Sequence, residues 1–285
     1  VITQPNSYIA TASAIVQHGA KPVFVDVCDD LNIDPELIEQ AITSKTKAIL
    51  PAHLTGRIAN MRKIMPIASK YNIPVIEDAA QAMGSYYDGR PSGSFGRVGC
   101  FSAHPLKNLN ACGDGGFLTT NDETIYRMAK LLRNHGHETR DKCVHFGFVS
   151  RMDTLQAAIL NYRLKKLDDI IDKRQKNAKT YFSSINAEEV RLPKENKYEF
   201  NTWHTFVLQT EERDLLKKYL LENGINTAVH YPIPIHLQPA SNLFGYKNGD
   251  FPIAEKQAKK ILTIPVNQYI SNREAIFISN KINHY

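Results

Sequence analysis

The chain has 285 residues, of which 42% are hydrophobic and 22% charged, enough to bury a sizeable core and long enough for two lobes. Its 35 Lys and Arg against 29 Asp and Glu give a formal charge of +6, spread along the chain: first a solvated surface, and second a field that attracts an anionic ligand such as a nucleoside diphosphate. One Trp with no aromatic-basic stripe argues against nucleic acid, no apolar run approaches the roughly 20 residues of a membrane helix, and four scattered Cys without a CxxC pair suggest neither zinc nor disulfides, so a reducing cytoplasm is the expected compartment.

The opening residues, VITQP, enter midway through a strand with no preceding cap, and an N-terminal segment is expected to be missing from them. From there to about Asp122, β-rich runs alternate with amphipathic stretches. KPVFVDV (21–27), KAILPAHL (47–54), IPVIEDAA (73–80), VGCFSAH (98–104) and GFLTT (116–120) read as strands. SYIATASAIVQHG, DPELIEQAIT with Asp34 as cap and Pro35 at its first position, and MRKIMPIASKYN read as helices. Near-continuous apolar strands separated by helices predict a three-layer α/β fold with a mostly parallel sheet, where ligands sit at the carboxyl ends of strands.

DETIYRMAKLLRNHG predicts a further helix. After a loop, residues 152–185 carry Leu155, Ile159, Leu164, Leu167 and Ile171 at helical spacing, one or two helices leading out of the first lobe. EFNTWHTFVLQT reads as a strand, ERDLLKKYLLENGI as a helix ended by Gly224, and VHYPIPIHLQPA as a proline-rich loop. The expected division is a large domain over residues 1–165 and, over 166–285, a linking helix with a smaller α+β domain.

The polar residues of the first lobe converge on strand ends: His53 after KAILPA, Asp78 at the end of IPVIED, Gln81 three residues on, Ser102 closing VGCFS, and Lys107 beyond it. Singly, each has an ordinary alternative, such as a cap, a buried hydroxyl or a solvated loop charge. Together the segments IEDAAQAMGSYYDGRPSGSFG and GCFSAHPLKNLNACGDGGFLTTND resemble the lysine-bearing core of the DegT and StrS type sugar-nucleotide aminotransferases, a branch of fold-type-I pyridoxal-phosphate enzymes. NSYIATASAIVQHGAKPVFVDV, TKAILPAHLTG, SRMDTLQAAIL, HYPIPIHLQPA and GDFPIAEKQAKKILTIPV resemble further family segments, in family order.

The resemblance implies pyridoxal 5'-phosphate, with its pyridoxamine form as an intermediate, and a ping-pong cycle through a lysine aldimine. The amino group passes from an amino acid, L-glutamate by expectation, to a keto group of a nucleotide-linked deoxysugar. Lys107 is the implied Schiff-base lysine and proton carrier, which suits a desolvated amine. Asp78 is implied to hold the pyridine nitrogen, Gln81 to lie near the ring's phenolic oxygen, Ser102 to donate to the cofactor phosphate, and Tyr8 to stack on the ring. For His53 and His236 the implied role is contact with the sugar or phosphate, and a packed histidine is an equal reading of each. A homodimer is implied; neither metal, nucleic acid nor membrane is.

Two departures stand out. The family's upstream Gly-Thr turn, which holds the cofactor phosphate, has no counterpart here. Val149 occupies the position of an asparagine that reaches the neighbouring subunit's phosphate, although Arg151 and the residues after it match. Alternatives are another fold-type-I reaction, such as a desulfurase with Cys112 as the nearest cysteine, or a catalytically impaired fragment or regulatory paralogue.

Overall fold

The structure is a computed structural model that describes residues 1–285. Its main sheet is laid down in the order the alternation predicts. Ile2–Thr3 pairs in parallel with Val23–Phe24, and single parallel bridges, Ile2 to Ile49, Ile49 to Val75 and Ala52 to Asp78, carry the sheet on to Ile76–Asp78. Val98–Ser102 adds in parallel, and Gly116–Thr119 closes the edge antiparallel.

Successive side chains of a strand point to opposite faces, and the sequence VFV at 23–25 shows what each face buries. Val25 joins a core with Ile2, Ile49, Val75 and the helix Met61–Lys70, whose Met61, Ile64 and Ala68 are spaced for one buried stripe. Phe24 points the other way and packs with Ala12 of the helix Ile9–Gln17. Helices therefore cover both faces, and the fold is a three-layer α/β arrangement. Asp34 caps the expected short helix by accepting from the Glu36 amide at 2.9 Å, with Pro35 at its first position.

Residues 152–185 form two helices, Thr154–Leu164 and Leu167–Ser184. The second packs with Arg213–Glu222 and Asn272–Asn283 around the antiparallel pair Phe206–Gln209 and Ile261–Ile264, burying Tyr181, Phe206, Leu208, Leu216 and Leu262. The single strand expected over 199–210 is divided. Glu199–Phe200 pairs with Tyr86–Tyr87 of the first lobe, Phe206–Gln209 lies in the second, and Trp203 between them has φ +49°. This crossing passes over Gly56, where a Cβ would stand 2.8 Å from the backbone nitrogens of both Trp203 and His204. With φ +91° as well, no other residue fits there without displacing the crossing.

Glu77 fixes the floor beneath the strand ends. Fully buried, it accepts from the amides of Phe95 and Gly96 at 2.7 Å and of Gly93 at 2.8 Å, and from His53 Nε2 at 2.9 Å. Burial alone would raise its pKa, but the hydrogen bond from His53 and those from the Gly96 and Gly93 amides together hold it below the ordinary carboxylate value. Its contribution is therefore complete above the unfolded-state value of about 4.3 and is lost as pH falls through the lower folded value. Glu77→Gln, which sets an NH2 group against N–H donors, is expected to cost about 3 to 5 kcal/mol at neutral pH and to flatten the acid loss of stability. Urea midpoints between pH 3 and 7 check this; parallel curves for the two proteins would contradict it.

Candidate active site

Adjacent strands deliver the polar residues to one place. Asp78 ends Ile76–Asp78 and pairs in register with Cys100, so Ser102, closing the neighbouring strand, lies beside it at the same edge of the sheet. Asp78 Oδ2 accepts from Thr11 Oγ1 at 2.6 Å, and Oδ1 accepts from the Ala80 amide at 3.2 Å. Since the one hydroxyl hydrogen of Thr11 goes to Asp78, Ser7 Oγ, 2.7 Å from Thr11 Oγ1, donates to Thr11. Ser7, just ahead of the helix Ile9–Gln17, and Thr11 in its first turn thus aim a two-hydroxyl chain at the carboxylate.

Lys107 follows in a tight turn closed by its own amide on the His104 carbonyl at 2.8 Å. The loop after it is pinned from the helix Thr154–Leu164. Arg163 Nη1 donates to the Asn110 carbonyl at 2.6 Å and to Asn110 Oδ1 at 2.9 Å, and Gln156 Oε1 accepts from the Cys112 amide at 2.8 Å. The helix that SRMDTLQAAIL opens is the brace of the lysine loop.

These groups line one cavity of about 820 Å³, which holds Tyr8, His53, Asp78, Gln81, Ser102 and Lys107 in its wall. Burial pushes the Lys107 amine below its ordinary value, and the Asp78 charge opposes that only in part. Ser102 Oγ accepts from the His104 amide at 3.3 Å, which leaves its O–H to donate. Gln81 is oriented by the Thr55 amide, 2.9 Å from its Oε1, and its Nε2 lies 3.5 Å from the Tyr231 hydroxyl. Tyr8 is 56% exposed, with its ring 5.7 Å from that of Tyr231.

The two histidines fare differently. His236 lies outside the cavity, fully buried, with Nε2 on Glu255 at 2.9 Å and its ring edge-on to Phe251, which is the packed one of its two readings. Its segment packs on the first lobe through Ile235 and Phe251, and the ring belongs to that joint. His53 does reach the wall, but both ring nitrogens are taken, Nε2 by Glu77 and Nδ1 by the Ala59 amide at 3.2 Å. In place of His236 the same segment supplies His230 and Tyr231. The reading of the sequence also passes over Thr11, Arg174 and His204. Thr11 alone carried a signal, standing one helical turn after Tyr8; the others enter from the second lobe. Burial, with Tyr8 and Asp78 nearby, raises the Tyr231 phenol to about 12, so it stays protonated.

Residues 1–283 match the DegT/DnrJ/EryC1/StrS aminotransferase family. The chain belongs to that family. It is 41% identical to a pleiotropic regulatory protein of Geobacillus stearothermophilus, over 99% of this chain and 77% of that one. It is also 41% identical to dTDP-3-amino-3,6-dideoxy-alpha-D-galactopyranose transaminase of Aneurinibacillus thermoaerophilus, over 100% of this chain and 78% of the relative. Among solved structures it superposes on S. venezuelae DesV, in complex with a ketimine intermediate, with a TM-score of 0.96 at 36% identity, covering 99% of this chain and 77% of that one. This family member is an aminotransferase by kinship and α/β by fold.

The lowered amine gives a direct test of the site. In the cofactor-free protein, trinitrobenzenesulfonate is expected to label Lys107 with a pH midpoint below the about 10.4 of an ordinary lysine. Peptide mapping across a pH series reads this, with Lys107→Arg as control. An ordinary midpoint at Lys107 would mean that the amine is not desolvated.

Proposed function

We propose that this protein uses pyridoxal 5'-phosphate to move an amino group from an amino acid, L-glutamate, to a keto group of a nucleotide-linked deoxysugar, in a ping-pong cycle, as a cytoplasmic homodimer. The observation that carries the reading is a half-buried lysine amine, its pKa lowered by desolvation, in the same cavity as a carboxylate held by two protein donors.

The donor set fits the cofactor. A neutral amine suits its aldehyde, a carboxylate suits its ring N–H, and a free hydroxyl hydrogen suits its phosphate, and these are Lys107, Asp78 and Ser102 in turn. When bound, the cofactor supplies a carbonyl that condenses with amines and a ring that withdraws electrons from the carbon beside them.

The residues do the rest. Lys107 Nζ would hold the cofactor, and partial burial lowers its pKa, which favours the neutral, nucleophilic form relative to a surface lysine. Once displaced by the incoming amine, the same Nζ is free to take a proton from one carbon and return it to another. Asp78 would keep a proton on the ring nitrogen. Its carboxylate is held ready by Thr11, with Ser7 behind, so little reorganisation is needed. Tyr8 would serve as the cavity's flat apolar contact and Gln81 as its oriented amide. The Aneurinibacillus relative supports a nucleotide-linked sugar as acceptor.

The dimer rests on exposed apolar side chains. Phe117 and Leu118 of the edge strand, Tyr126 of the next helix, and Phe146, Phe148 and Val149 of the following loop are all more than a third exposed, a face suited to a second copy of the chain.

With a panel of nucleotide-linked 3-keto and 4-keto sugars and L-glutamate, the wild-type protein is expected to aminate one class, and Lys107→Ala none. Borohydride should trap cofactor on the peptide containing Lys107 only. Asp78→Asn should still take up cofactor but turn over several orders of magnitude more slowly, because an amide cannot hold the ring proton. Near-normal turnover in that variant, or an inert wild-type protein, would overturn the reading, the latter in favour of an impaired or regulatory paralogue. Sedimentation at micromolar concentration should show a dimer; a monomer with cofactor bound would contradict the assembly.

A further inference from the structure

A second cavity, of about 240 Å³, lies between the lobes, with Leu31, Thr55 and Arg57 of the first and Leu192, Trp203 and Val207 of the second in its wall. The crossing over Gly56 separates it from the active cavity: Trp203 lines the one, and His204, the next residue, lines the other. Thr55 links the two as well, since its amide donates to Gln81 Oε1 at 2.9 Å. Leu31, Thr55 and Trp203 are three of the six non-glycine residues of the chain at positive φ, and backbone held in such costly conformations gathers where ligands are clamped.

Not all of the charges in this wall are paired. Arg57, 6% exposed, donates through Nη2 to Glu199 at 3.1 Å and through Nη1 to the Lys194 carbonyl at 2.8 Å, so its charge is matched. Arg191 is likewise paired with Asp29, Nη2 to Oδ2 at 2.6 Å. Asp30 and Lys194 are left over. Asp30 Oδ1 accepts from the Asn32 amide at 3.0 Å, but Oδ2 stands 3.7 Å from Arg57 Nε, too far for a hydrogen bond. Burial raises this carboxyl above its ordinary value, and Arg57 offsets that only in part. Lys194 is exposed and makes no ion pair. Two buried donors also lack partners, Arg57 Nε and the indole Nε1 of Trp203. Unmet donors and an unmet carboxylate in one enclosed place are unfavourable for the empty protein.

An occupant that relieves all of them carries both an anionic acceptor and a cationic donor. The two must sit side by side, because Arg57 Nε and Asp30 do. In an α-amino acid the ammonium and the carboxylate hang on one carbon, which fits that spacing. Leu31, Leu192 and Val207 give an apolar wall for its side chain, and 240 Å³ lies below the roughly 300 to 1,000 Å³ of sites for drug-sized ligands, so the guest is small. We propose that this interlobe cavity binds a free α-amino acid with a small apolar side chain, its ammonium on Asp30 and its carboxylate on Arg57 Nε and Trp203 Nε1.

Trp203 is the only tryptophan of the chain, so its emission reads the site directly. In the cofactor-free protein, where no amine exchange can occur, L-leucine is expected to change that emission saturably, with one equivalent bound per chain by calorimetry. 4-Methylpentanoate lacks the ammonium and 3-methylbutylamine lacks the carboxylate. Each should bind roughly 10- to 100-fold more weakly than L-leucine, the strength of one charge-assisted hydrogen bond. Asp30→Asn should weaken L-leucine by a similar factor, whereas Lys107→Ala, which alters the other cavity, should bind it as the wild-type protein does. No saturation at millimolar L-leucine, equal binding of either analogue, or a loss in Lys107→Ala with none in Asp30→Asn would overturn the site. The analogue comparison uses the unaltered chain, so it decides the matter even if Asp30→Asn fails to fold.

Discussion

The site depends on withdrawing an amine partly from water. An ammonium group on a flexible stem is among the most strongly hydrated side chains, and setting it half-buried in the wall of a cavity sacrifices part of that hydration. What the protein gains is reactivity, because the same desolvation that disfavours the charged form leaves a lone pair available. Asp78 nearby limits the effect and retains the group as a usable base. The balance between burial and one carboxylate is what distinguishes Lys107 from the many solvated lysines of this basic chain.

That balance holds only if both groups stay in place, and the supports come from distant parts of the sequence. Parallel register fixes the ends of two strands side by side, Glu77 stitches the turn at Gly93–Gly96 to the floor below, and Ser7 and Thr11 reach across from the first helix. Arg163 and Gln156 hold the lysine loop from behind. Each is a short, directed bond between an element of the scaffold and a loop, so the site inherits the rigidity of the sheet although its reactive residue is not on it.

The alternation of apolar runs and helices made the first lobe legible, and the placement of Asp78, Ser102 and Lys107 followed from strand ends alone. Local signals served where local physics decides, as with Asp34 and Pro35 at a helix start. They failed where a partner from far along the chain decides. The 199–210 run has a uniform strand composition, yet it serves two sheets because Gly56 lets the chain cross between them. His236 and His230 stand six residues apart in one proline-rich segment, and only the packing of Ile235 and Phe251 onto the first lobe turns one into the core and leaves the other facing the cavity. Arg174 reads as one more charge on a solvated helix, and its burial is a tertiary fact.

The central claim is that Lys107 is the group that moves the proton when the donor gives up its amine. A single-turnover reaction isolates that step: cofactor-loaded protein is mixed with excess L-glutamate, no sugar is present, and 2-oxoglutarate is quantified over time. The account predicts release of about one equivalent per chain from the wild-type protein, as expected of a ping-pong half-reaction, and none on the same timescale from Lys107→Arg reconstituted with cofactor. Full release from that variant at the wild-type rate would contradict it.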